Sequence, residues 1–126
     1  MKNIVITFIL FISMIFVCFI SLNYLNKTSY NMYSSNNSVK KYIYNNNWEK
    51  ADKLSNKLSK DWHMYADNFS LFVNHTLIDD ISIEEHKLEE YIKCKNKEEA
   101  LASANTIQFL IERIRKLEKF NIQNVF

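Results

Sequence analysis

Residues Ile4–Leu22 run for nineteen positions without a charge, and fourteen of them are Ile, Leu, Phe or Val. At a helix centre such side chains favour insertion into a bilayer by roughly 4–8 kcal/mol in total, and Thr7, Ser13 and Ser21 subtract little. As a helix the run is about 28 Å long, close to the ~30 Å hydrocarbon core. It exceeds the ~7–15-residue apolar stretch of a cleaved signal peptide, and no small-residue cleavage site follows it. The bulky Ile15-Phe16-Val17 before Cys18 does not suit lipoprotein processing. The sequence therefore predicts an uncleaved anchor over residues 1–26, contacting membrane lipid through residues 4–22.

Lys2 precedes the span, and Asn23–Asn37 after it holds a single charge, Lys27. A short basic leader without a basic flank on the far side resembles a signal anchor, so the N-terminus is expected in the cytoplasm. The body, residues 27–126, is then an extracytoplasmic domain of a single-pass protein in the cell membrane.

That body carries 15 basic and 14 acidic side chains. A balance so near neutral argues against nucleic acid as a partner, which would want a basic face. The chain has no Gly and no Pro. Phosphate-cradling loops, dinucleotide fingerprints and nucleophile elbows all need Gly at fixed places, so those chemistries are not expected. Asn occurs 16 times, and four N-x-[ST] sequons, at Asn26, Asn36, Asn68 and Asn74, are attributed to that abundance rather than to glycosylation.

Apolar residues in the body recur at helical spacing. One stripe is Trp48, Ala51, Leu54/Ser55, Leu58, Trp62, Tyr65 and Phe69. A second is Leu71, His75, Ile78, Ile81, Leu88 and Ile92, interrupted by Glu85. The third, Ala100, Ala104, Ile107, Ile111 and Ile114, is widened by Leu110 and Leu117. No segment alternates over a strand's length. The prediction is all-α: a transmembrane helix followed by a small antiparallel bundle, with helices near 28–44, 48–67, 69–94 and 98–120. The first of these is expected either to stand alone or to continue the membrane helix. Trp48, Leu58, Trp62, Ile107, Ile111 and Ile114 are the expected core.

Turns must rely on Asn, which tolerates the left-handed conformation Gly would otherwise supply. Asn46 with Glu49, and Asn96 with Glu99, are spaced as capping boxes. A break near Asp67-Asn68 is expected because an unbroken helix from Trp48 to Cys94 would reach about 70 Å, against about 34 Å for 98–120. Lys40–Lys60 holds six Lys and two acids, and Asp79–Glu90 six acids and one Lys. Both read as solvated faces whose opposite signs allow the segments to lie side by side.

The residues Asn47-Trp48-Glu49-Lys50-Ala51, Trp62, Leu71-Phe72-Val73-Asn74-His75, Ile78-Asp79, Tyr91-Ile92 and Asn121-Ile122-Gln123-Asn124-Val125-Phe126 resemble a known family, the domain of unknown function numbered 4363. The resemblance extends over nearly the whole chain. It implies a small bacterial single-pass membrane protein with a helical body and no assigned activity, and an accessory role beside a multi-pass membrane protein. It supplies no catalytic residues.

His75 and Asp79 lie four apart on one helical face, a spacing that can orient an imidazole. Nothing local completes a metal site, and the expected arrangement is a His held by a neighbouring carboxylate. His63 and His86 read as surface residues. Cys18 lies inside the apolar span, so Cys94 is a lone thiol. His86 precedes Cys94 by eight residues, about 12 Å along a helix, too far for a nucleophile–base pair. No enzyme activity and no cofactor are expected.

The leading functional expectation is an interaction module for an envelope or membrane protein, or for a second copy of this chain. The alternative is an extracytoplasmic sensor or ligand-binding bundle. The segment Leu71–Ile81 has more apolar side chains than one face can point inward, so Phe72, Val73, Leu77, His75 and Asp79 are the expected partner contact. Burial of the same segment inside the chain's own bundle is the competing expectation.

Overall fold

The structure is a computed structural model. It describes the backbone of residues 1–125 apart from Phe72, and the side chains of residues 1–116 apart from Phe72. The described residues form four helices, α1 (Lys2–Tyr44), α2 (Trp48–Phe69), α3 (His75–Lys93) and α4 (Lys97–Val125).

The anchor and the first body helix are one element. α1 runs unbroken through the expected boundary at residue 26, because nothing in it interrupts the backbone ladder. Its Ser and Thr side chains donate back to carbonyls four residues earlier: Thr7 to Asn3, Ser21 to Val17, Thr28 to Tyr24, Ser29 to Leu25. Each hydroxyl is thereby satisfied inside the helix that holds it. From Leu25 onward α1 buries a stripe, Leu25, Thr28, Ser29, Met32, Asn36, Val39 and Ile43.

That stripe makes α1 the first member of a four-helix bundle. Packing joins α1 to α2, α2 to α3, α3 to α4 and α4 back to α1, an up-down-up-down ring. Ala51, Leu58, Trp62 and Phe69 enter the core from α2, and Ile78, Ile81, Leu88 and Ile92 from α3. Ala100, Ala104, Ile107, Ile111 and Ile114 enter from α4. Leu58, Trp62, Ile107, Ile111 and Ile114 are thus buried. Trp48 is only half-buried and packs against the core's edge, because it opens α2 at the end of the bundle. Trp62 has no exposed surface. Its indole N–H donates to Ser82 Oγ at 2.8 Å, and its ring meets Phe69 edge-on at 5.7 Å.

The two turns at the far end of the bundle share one design. Asn47 N–H bonds back to the Tyr42 carbonyl, and Asn96 N–H to the Tyr91 carbonyl. Each turn passes through one left-handed residue, Asn46 at φ 60° and Lys95 at φ 54°. Asn46 is spent on that conformation, so the cap of α2 is Asn47, whose side chain accepts from Lys50 N–H. Asn96 accepts from Glu99 N–H as its spacing suggests.

The α2–α3 break falls later than expected. α2 continues to Phe69, and Asn74 caps α3 by accepting from Thr76 N–H. Leu71 therefore lies in the turn rather than on a helical stripe. α2 and α3 do pack side by side, but the described ion pairs, Lys53–Glu49, Lys87–Glu84 and Lys93–Glu90, are all within single helices.

Candidate functional site

Shifting α3 to start at His75 redirects the segment singled out from the sequence. Val73, Leu77, Ile78 and Ile81 are buried in the chain's own bundle, with Val73 7% and Leu77 6% exposed. Phe72 lies outside the described residues. His75 and Asp79 are both exposed, and no hydrogen bond joins them among the described residues. The candidate contact set is therefore not one surface: two members face inward and two face solvent. Among the described residues of the segment, Leu71 is the apolar side chain left outside, 78% exposed.

His63, His86 and Cys94 are exposed as well. Among the described residues no three His, Cys, Asp or Glu side chains gather closely enough to hold a metal ion. Met64, Ile83 and Phe109 are exposed apolar side chains on three different helices. Shallow surface depressions lie beside Asn37, Lys40 and Tyr44, and beside Tyr42, Lys50 and Leu54.

The chemically distinctive group is one that sequence reasoning treated as an interruption. Glu85 sits on the inward stripe of α3 between Ile81 and Leu88 and is 3% exposed. Its Oε1 has no hydrogen-bond partner among the described residues. A carboxylate taken from water without compensation is disfavoured, so burial raises its pKa. The nearby negative charges of Glu89 and Asp61 add to the effect, and the carboxyl is pushed up to about 9. Burial thus favours the protonated form of Glu85 at neutral pH.

Asn36, on α1, is another polar side chain on an inward stripe. It is fully buried; its Nδ2 donates to the Ala104 carbonyl at 2.8 Å, while Oδ1 has no partner among the described residues. Near it Lys40 Nζ donates to Gln108 Oε1, and Gln108 Nε2 donates to Tyr33 Oη. This polar seam ties α1 to α4. Lower down, the Arg115 guanidinium lies 5.7 Å from the Tyr30 ring centre and 5.9 Å from that of Tyr33.

At the other end of α1 the residues before Ser21 are uncovered. Ile4 to Ile20 present large apolar side chains at 48–74% exposure, and none of the apolar window is buried in the bundle. This stretch is long and apolar enough to cross a membrane.

No curated protein and no solved structure gives a significant match to the chain. A family model does match, over residues 19–125, and it covers the whole four-helix bundle together with the last turn of the apolar stretch. The chain belongs to that family, the domain of unknown function DUF4363.

Proposed function

We propose that this protein is a membrane-tethered accessory module, with residues 4–22 in the lipid and the helical body on the extracytoplasmic side. There it engages a membrane or envelope protein rather than catalysing a reaction. The observation that supports this reading is the continuity of α1. An uncovered apolar helix enters the bundle without a hinge, so the body is held at fixed height over the bilayer and does not swing independently of the span. A rigid mount suits a surface that must meet another membrane-bound protein.

Cys94 provides the test, because it is exposed in the turn at the far end of the bundle. A membrane-impermeant maleimide added to intact cells labels Cys94 if the body is outside, and labels it only after lysis if the orientation is reversed. Extraction in mild detergent then recovers the chain with a discrete membrane protein if it is an accessory. Recovery of the chain alone removes that role.

A second reading, a ligand-binding or sensing bundle, draws on buried oxygens of Asn36 and Glu85 that have no partner among the described residues. A small polar molecule that raised the melting temperature of wild type but not of Asn36→Ala would favour it.

A further inference from the structure

The membrane-proximal end of the bundle can be located from the register of α1. Leu22 closes the apolar run, and Tyr24, two residues on, is about 3 Å farther along the helix. Headgroups add roughly 5–8 Å on each side of the hydrocarbon core. Residues 23–26 of α1 therefore cross the headgroup layer when residues 4–22 fill the core. Leu25 is already buried against the bundle, and Ser21 and Leu22 are half-buried. No stalk separates the bundle from the span.

The α2–α3 turn stands at this level. Asn68 Nδ2 donates to Tyr24 Oη at 3.2 Å, and the Tyr24 and Tyr65 rings meet edge-on at 6.4 Å. α2 runs antiparallel to α1, so Phe69 to Leu71 continue from Asn68 toward the span, on the side of Tyr24 where Ser21 and Leu22 lie. Leu71 is there, at 78% exposure, in a turn whose neighbour Val73 is buried. An apolar side chain at this height meets lipid rather than water, whereas the exposed Met64, Ile83 and Phe109 lie farther from the span along their helices. Tyr24, 40% exposed, is the residue type that favours the interface. Lys27, exposed about one turn above Tyr24, is placed for phosphate.

We propose that the α2–α3 turn rests in the headgroup layer of the bilayer that α1 enters, with the Leu71 side chain inserted among the lipids. The turn is thus a second membrane contact beside the span, and it restrains the bundle's tilt. The proposal rests on the reading of residues 4–22 as a membrane span.

Three single-cysteine forms of the full chain separate the two ideas. Cys94→Ser leaves Cys18 in the span, Cys18→Ser leaves Cys94 at the far end, and the double replacement with Leu71→Cys places the thiol in the turn. Each is labelled with an environment-sensitive fluorophore. Each is then reconstituted into vesicles of phosphatidylcholine and phosphatidylglycerol, three parts to one, with or without lipid carrying a nitroxide high on the acyl chain. The expected result is loss of emission from the labels at 18 and 71, and none from the label at 94. A quenched label at 18 with an unquenched, water-like label at 71 overturns the turn's insertion while leaving the anchor intact. A blue-shifted but unquenched label at 71 also overturns it, and shows that protein covers Leu71. An unquenched label at 18 removes the span itself, and this proposal with it.

Discussion

Asn36 and Glu85 occupy equivalent positions in the two halves of the bundle, 49 residues apart on helices that lie diagonally across it. At the same offset Thr28, Ser29, Met32, Val39 and Ile43 of α1 correspond to Leu77, Ile78, Ile81, Leu88 and Ile92 of α3, and every one is buried. Ala51, Ser55, Leu58 and Trp62 of α2 correspond to Ala100, Ala104, Ile107 and Ile111 of α4. The turns between them repeat the same backbone bonds. The bundle therefore repeats one hairpin's burial pattern twice, each half with one strongly polar side chain at the same inward place. Asn36 always has an N–H to give. Glu85 has a donor only when it keeps its proton, which is the form burial imposes on it.

Stability should consequently fall as pH rises. The unfolded chain releases the Glu85 proton near the ordinary 4.5, whereas the folded chain holds it to about 9. Between those values the folded state binds more protons than the unfolded one, so its advantage shrinks by up to about 1.4 kcal/mol per pH unit. The contribution is complete below the ordinary carboxyl range and gone above pH 9. Glu85→Gln keeps the shape without the proton. Denaturant unfolding should show the variant near wild type at pH 4–5 and more stable at pH 8. Parallel curves across that window would mean that Glu85 is ionised in the folded protein.

Asn36→Ala should behave differently. It removes the bond to the Ala104 carbonyl and leaves a small void, for a loss of about 1–3 kcal/mol. No titrating group is involved, so the loss should be the same at pH 5 and pH 8. A pH-dependent loss would indicate that Asn36 and Glu85 are coupled across the core.

Much of this architecture was legible in apolar spacing. The stripes Ala51–Phe69 and Ala100–Ile114 were readable because their inward positions are occupied by apolar or small residues. The second stripe was misread at both ends of its logic. Leu71 and His75 fit its spacing but lie outside the core, because Asn74 caps a new helix and breaks the register. Glu85 breaks its chemistry but keeps its place, since helix geometry and the neighbours Ile81 and Leu88 decide where a side chain points. A signal for Glu85 did exist: Tyr42-Ile43 before Asn47 recurs as Tyr91-Ile92 before Asn96. Aligning the halves on that repeat places Glu85 opposite Asn36.

The Trp62 indole separates packing from hydrogen bonding. Trp62→Ala removes a fully buried ring that also contacts Phe69, and should cost about 3–5 kcal/mol. Trp62→Phe keeps an aromatic ring but loses the bond to Ser82 Oγ. That hydroxyl still donates to the Ile78 carbonyl at 3.1 Å, so no buried donor is stranded. The conservative change should therefore cost markedly less than the truncation. Equal losses would show that the hydrogen bond, not the ring, holds α2 to α3.

Lys95 offers the opposite kind of change, one that should stabilise. It sits at φ 54°, where a Cβ crowds the following carbonyl at a cost of roughly 1–2 kcal/mol. Its Cα is exposed in the turn that also holds Cys94 and Asn96, and no side-chain bond there depends on it. Lys95→Gly relieves the crowding but gives the unfolded chain more freedom, which takes back roughly 0.5–1 kcal/mol. The net expectation is a gain of up to about 1 kcal/mol, read as a higher midpoint in denaturant. Asn46→Gly in the equivalent turn should gain less, because Asn already tolerates the left-handed region. Lys95→Val, with a β-branched side chain at the same φ, should lose stability. If Gly and Val shift the midpoint the same way, backbone conformation at residue 95 does not limit the turn between α3 and α4.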